Sequence, residues 1–245
     1  MKKWIAVFGV SALLWSCSDA PPVPNAKATN ANFTELLNNY WEERLLLFPV
    51  EATAYGDNRY NNKLTITIAT SFRDSLSRFY NRYLQLAQQA DTAGMTAADK
   101  LNWRLFCHEM QMSIEGLKYP SHWLPVNQFS SFLLELPQLG AGTGNQPFKT
   151  VADYDQWLQR LAVLPAWVDT AIANMKQGRD NGWVLPQALV VKMLPQLKAI
   201  VTKNDTQSIF WGPMRQLPEA TSEADRARLT SAWHQSIQTA VNPAY

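Results

Sequence analysis

The sequence predicts an all-α protein, an irregular array of many helices. Three observations carry that prediction. Apolar residues recur at spacings of three and four through most of the chain. Thr96, Thr150 and Ser222 each stand three residues ahead of an aspartate and just before such a stretch, the pattern of a helix N-cap. Strand-like alternation is nearly absent, apart from the β-branched run Thr65-Ile66-Thr67-Ile68.

Taken in order, Asn32–Phe48 reads as a helix capped by Asn32, with Phe33, Leu36, Leu37, Tyr40, Leu45 and Phe48 at helical spacing. Pro49 suits the first turn of a short helix, Pro49–Tyr55, closed by Gly56. A loop over residues 57–63 leads to a long helix from about Ile68 to Ala90, carrying Phe72, Leu76, Phe79, Tyr80, Tyr83 and Leu86. Thr96–Lys118 follows as a helix of about six turns. Its apolar residues form two stripes. Trp103, Phe106, Met110, Ile114 and Leu117 share one face, and Leu101, Leu105 and Met112 lie nearly opposite. A helix against solvent needs one apolar face, so this one is expected to be sandwiched between other helices.

Tyr119–Thr150 changes character, with Pro120, Pro125, Pro137 and Pro147, three glycines, and one short apolar helix or turn at Ser130–Leu136. Such a segment either lines a groove or crosses the core as a connector; the sequence leaves both open. Helices follow at Val151–Leu164 and from Pro165 to about Lys176, ending at Gly178. Gln187–Val201 is amphipathic and interrupted by Pro195. Asn204–Ala220 is a second irregular patch. Ser222 caps the last helix, with Leu229, Trp233, Ile237 and Ala240 on one stripe. The terminal Asn242-Pro243-Ala244-Tyr245 is compatible with a closing helix or with a chain cut short.

At 245 residues, 47% hydrophobic and 17% charged, the chain can bury a substantial core. Lys2 and Lys3 supply the whole formal charge of +2; the remainder balances 20 basic against 20 acidic residues. With no basic stripe and no nucleic-acid motif, a nucleic-acid partner is not expected.

Residues 1–16 read as an export signal. Lys2-Lys3 precede an apolar run over residues 4–14 that is too short to span a bilayer. Leu14-Trp15-Ser16-Cys17 is similar to a bacterial lipobox, which makes Cys17 the expected site of lipidation; ordinary secretory cleavage would want a small residue where Leu14 stands. The proline-rich stretch within residues 17–31 is expected to be a flexible tether, and 32–245 the helical domain. The expected location is export with a lipid anchor in the envelope, and the membrane, through that lipid, is the first expected partner. Cys107 would then be the sole thiol, read as a small buried hydrophobe.

The most tempting catalytic string is His108-Glu109-Met110-Gln111-Met112. A zinc-peptidase helix needs His-Glu-x-x-His, because residues i and i+4 grip one ion while the glutamate activates water. Met112 replaces the second histidine and is a poor zinc ligand beside imidazole. His122 and His234 have no helical spacing to His108. The expectation is a semi-buried structural His108 among Leu101, Leu105 and Met112, with no catalytic and no metal residue in the chain.

Several segments together resemble the bacterial family known as domain of unknown function 885. They are Pro49-Val50-Glu51-Ala52-Thr53-Ala54-Tyr55-Gly56, Asn102-Trp103-Arg104-Leu105-Phe106, Pro125-Val126-Asn127-Gln128, the run from Asp153 to Leu161, and Pro243-Ala244-Tyr245. The resemblance implies a helical scaffold similar to clamshell zinc peptidases, with helices walling a deep cleft. It also implies a protein about twice this length, zinc in the full-length member, and a His-Glu-x-x-His helix in a C-terminal half that this chain does not contain. Two functions are therefore expected. One is the non-catalytic N-terminal half of a lipid-anchored peptidase-like protein, inactive alone, which meets a peptide substrate or its missing C-terminal half. The other is a free-standing helical lipoprotein that binds a peptide or protein through aromatic-rich loops.

Overall fold

A computed structural model describes residues 31–245; the expected export signal over 1–16, the expected lipidation site Cys17 and nearly all of the expected tether lie outside the described residues. The array is all-α, and among the described residues there is no strand. The β-branched run at 65–68 is irregular chain and turn.

α1 (Ala31–Leu47) and α2 (Pro49–Ala54) are separated at Phe48, and Gly56 closes α2 with φ +82°, a backbone conformation that glycine adopts without a steric cost. α3 (Thr70–Gln88) and α4 (Ala97–Gly116) form an antiparallel hairpin. At one end Trp103 Nε1 donates to Ala87 O at 2.7 Å; at the other Arg73 Nη2 donates to Leu117 O at 2.5 Å. Thr96 caps α4 as expected, its Oγ1 accepting from the Asp99 N–H. Phe72, Leu76, Phe79, Tyr80, Tyr83 and Met110 make the buried core of this unit. α1 closes it, with the Tyr40 ring stacked on Phe79 and edge-on to Phe106.

A larger core holds the rest. α5 (Phe132–Gly140) is longer than the sequence suggests and runs through Pro137. α6 (Val151–Leu161) opens on a full capping box, Thr150 with Asp153. α7 (Leu164–Asp180) continues past Gly178, the position at which the sequence suggests a stop. The true closing glycine is Gly182, φ +78°, and the Trp183 N–H returns to Gly178 O at 2.8 Å. Gly178 is a packing glycine instead: a Cβ there would stand 2.9 Å from Trp123 Cβ and from Trp183 O. α8 (Gln187–Lys198) lies on the surface, with Met193 its buried side chain. α9 (Glu223–Ser236) is capped by Ser222, runs into a π-type turn at Ile237–Val241, and ends in the single turn α10 (Asn242–Ala244). Trp157, Trp167, Trp233, Tyr154 and Phe210 are the large buried rings of this second core.

The irregular segment 119–150 is in large part a core-crossing connector: Val126, Ser131, Leu133, Leu136 and Gln146 are buried. Its tip at Phe129 is exposed, as is Tyr119 at its start.

Candidate functional site

The join between the two cores is built on Arg160 of α6, which is fully buried. Its guanidinium donates to the carbonyl oxygens of Lys63 (2.8 Å), Tyr60 (2.8 Å) and Pro49 (3.2 Å), to Thr53 Oγ1 (2.9 Å) and to Gln146 Oε1 (2.7 Å). Every acceptor is neutral. Burial pushes the group down to about 10, so it stays charged at neutral pH. These hydrogen bonds fix α2 and the turn that follows it against α6. The role is structural.

The three histidines are dispersed. His108 is exposed, not semi-buried, because nothing covers the side of α4 on which it lies. His122 sits in a short turn at Ser121–Trp123; its Nδ1 is buried without a hydrogen-bond partner, and burial, then the nearby Arg73, lowers its pKa. His234 Nδ1 meets Asp205 Oδ2 at 2.8 Å, and Gln238 Nε2 donates to the same oxygen at 2.8 Å, with the Trp211 ring 4.4 Å from the imidazole. A carboxylate that orients an imidazole also occurs in catalytic dyads, where a nucleophile completes the set. The nearby Ser208 hydroxyl instead accepts from the Phe210 N–H. This cluster ties the irregular 204–212 segment to α9. No sequence motif announces it, since Asp205 and His234 are 29 residues apart.

Zinc, implied for a full-length relative, does not fit the donors present. On α4, Met110 is fully buried in the hairpin core and Met112 stands where a second imidazole would be needed, which leaves His108 a lone donor. Among the described residues no three His, Cys, Asp or Glu side chains gather into a metal-holding group. Burial raises the Cys107 thiol, which disfavours the thiolate that a nucleophile needs.

What stands out instead is a surface. Leu101, Leu105 and Met112 are 57%, 56% and 50% exposed, with His108 between them on the outer side of α4. Trp103, Phe106, Met110, Ile114 and Leu117 face inward, as their spacing predicts. The sandwich expected for α4 is therefore built on one side only. Elsewhere an open groove of about 600 Å³ runs between α1 and α3, bordered by Glu35, Glu42, Glu43, Arg82 and Tyr83. Most of these groups are spent on each other: Tyr83 Oη and Arg82 both meet Glu43, and Glu42 pairs with Arg59.

Comparison with curated proteins returned no match. Among solved structures, "The crystal structure of the putative lipoprotein from Colwellia psychrerythraea" superposes with a TM-score of 0.70 at 15% identity. The match covers 89% of this chain and 40% of that one, so the chain spans well under half of that protein's length. Residues 49–245 match the family described as "Bacterial protein of unknown function (DUF885)". That range takes in the Arg160 hub, both cores and the outer face of α4, and the chain is a member of the DUF885 family.

Proposed function

We propose that this chain serves as the non-catalytic N-terminal portion of a lipid-anchored envelope protein related in form to zinc metallopeptidases, where it supplies helical scaffold and one wall of a cleft. The observation that supports this is the uncovered apolar face of α4. A helix with apolar residues on two opposite sides is made to lie between neighbours, and solvent on one side leaves a contiguous apolar strip exposed. The Colwellia structure, more than half of which has no counterpart in this chain, is consistent with further protein beside such a face. Its description as a lipoprotein supports an envelope location, and the expected lipid on Cys17 gives the means; no helix among the described residues is long and apolar enough to cross a membrane.

The purified chain is expected to hold no stoichiometric zinc and to hydrolyse no peptide. Metal analysis that finds tightly bound zinc, lost in His108→Ala, overturns the proposal. Reading the gene in frame beyond the Tyr245 codon tests it from the other side: continuation into a His-Glu-x-x-His segment is the expected result. Labelling with a palmitate analogue in a bacterial host, lost in Cys17→Ala, is the expected signature of the anchor.

A further inference from the structure

The segment over residues 181–204 has a one-sided composition. It contains Lys192, Lys198 and Lys203 and no acidic residue. The acids that border it are engaged: Asp180 pairs with Arg179, and Asp205 with His234 and Gln238. Within the segment lies α8, which turns Met193 inward and leaves Val191 and Leu194 58% and 45% exposed. At 100° per residue, Leu194, Lys198 and Val191 fall within one sector of about 60°, and Lys192 lies about 100° beyond Val191, on the opposite flank of the exposed side from Leu194. Both lysines are exposed.

Beside α8 stands a rigid aromatic tip. Asn127 Oδ1 accepts from the N–H groups of Phe129 and Ser130, both at 2.9 Å, and its Nδ2 returns a hydrogen bond to Ser130 O. This holds Phe129 82% exposed. Gln196 Nε2 of α8, one turn on from Lys192, donates to Gln128 O at 3.4 Å, so the tip stands on the Lys192 flank of the helix. Residues 119–134 carry no Asp, Glu, Lys or Arg; Glu135, on the helix packed against α8, is the one acid close in sequence to the tip.

We infer that the outer face of α8, through Val191, Leu194, Lys192 and Lys198 together with the Phe129 tip, docks on an anionic phospholipid surface. Short apolar side chains flanked by lysines suit the boundary between headgroup and acyl chain. The apolar groups enter it while the long lysine stems carry their ammonium groups up to the phosphates. Juxtamembrane lysines add attraction to anionic lipid that is screened by salt. A protein partner would be met equally well by an uncharged or mixed-charge face; an excess of lysine with no acid on α8 itself, and Glu135 the one acid beside it, matches a lipid surface. The inference rests on the envelope location proposed above. Its consequence is orientational: the lipid on Cys17 would hold the protein at the membrane, and α8 would set which face points down.

The test uses the mature chain from Ser18 onward, without acylation, so failure of the lipid anchor cannot mimic failure of this surface. The chain is sedimented with vesicles of phosphatidylglycerol and phosphatidylethanolamine, and with vesicles of phosphatidylcholine alone. Binding to the first, weakened by salt and absent from the second, is expected. Replacing Lys192 and Lys198 together by alanine should lower partitioning roughly 20- to 30-fold. Leu194→Asp and Phe129→Ala should each lower it further, with helicity by circular dichroism unchanged in every variant. No binding to the anionic vesicles, equal binding to both kinds, or binding that survives the double lysine substitution overturns the inference. Self-association that Leu194→Asp abolishes, in a chain that ignores anionic vesicles, overturns it in favour of a protein interface.

Discussion

The hydroxyl of Tyr245 donates to the carbonyl oxygen of Leu133 at 2.7 Å, and that carbonyl is the one Pro137 leaves without a helical partner. In an α-helix the N–H of residue 137 would bond to the oxygen of residue 133; proline has no N–H. α5 therefore runs through Pro137 with its missing hydrogen bond replaced from 112 residues away. Burial raises the Tyr245 pKa, which keeps the phenol protonated and able to donate. Tyr245→Phe keeps the ring against Phe210 and removes only the donor. The expected loss is about 1–3 kcal/mol, the cost of a buried acceptor left unpaired. It is read from the urea midpoint with an unchanged m value. A second substitution, Pro137→Ala, should restore most of it, since alanine brings back the backbone N–H that proline lacks.

Arg160 is the second long-range fastening, and its replacement should be more costly. Arg160→Met fills much of the volume but takes the guanidinium donor from Lys63 O and Gln146 Oε1, and leaves Pro49 O with the Thr53 hydroxyl, Tyr60 O with the Lys63 N–H and Thr53 Oγ1 with its bond to Asn61. A loss of about 3–5 kcal/mol is expected. Arg160→Lys keeps the charge and still fails, because one ammonium cannot replace a planar fork that reaches five acceptors. If Lys restores wild-type stability, the hub acts through charge alone and the geometric account is wrong. Hydrogen exchange locates the effect: protection should fall first at Tyr60–Lys63 and α2.

These two fastenings show what the sequence can and cannot disclose. Helix positions, the caps at Thr96, Thr150 and Ser222, and the inward stripe of α4 are legible, because each depends on residues a few positions apart. Gly178 and Gly182 exchange roles because a closing glycine and a packing glycine look alike until Trp123 is placed beside one of them. Arg160 gives no signal. It sits in an ordinary helical stretch, and its partners lie 97 to 111 residues away or in a loop. A semi-buried His108 is the natural expectation from sequence, because the spacing on α4 shows an apolar face and cannot show whether anything covers it.

That uncovered face makes a prediction that separates stability from association. Leu105→Glu lies on the exposed stripe and should change the stability of this chain by no more than about 0.5 kcal/mol. Met110→Ala lies on the opposite face in full burial and should cost about 2–5 kcal/mol. Binding of a hydrophobic dye should follow the reverse order, falling in Leu105→Glu. A large loss of stability in Leu105→Glu would mean that the outer face of α4 is already packed in this chain. The scaffold reading would then lose its support.

His122 sets an acid limit on the join between α4 and the irregular segment. Burial first, and the Arg73 guanidinium second, hold its pKa below the ordinary 6.5. The unfolded chain therefore binds a proton at a pH where the folded chain does not. The stabilising contribution of neutral His122 is complete above about pH 6.5 and is lost as pH falls through its lower folded value. The imidazole cannot take that proton cheaply, because Arg73 is held in place by hydrogen bonds to Leu117 O and Tyr119 O and cannot withdraw without breaking them. Urea midpoints measured from pH 7.5 downward should fall as this group titrates, ahead of the carboxylates. His122→Asn should flatten the upper part of that decline and leave the lower part unchanged. A wild-type and variant pair with parallel profiles would show that His122 titrates freely in the folded protein.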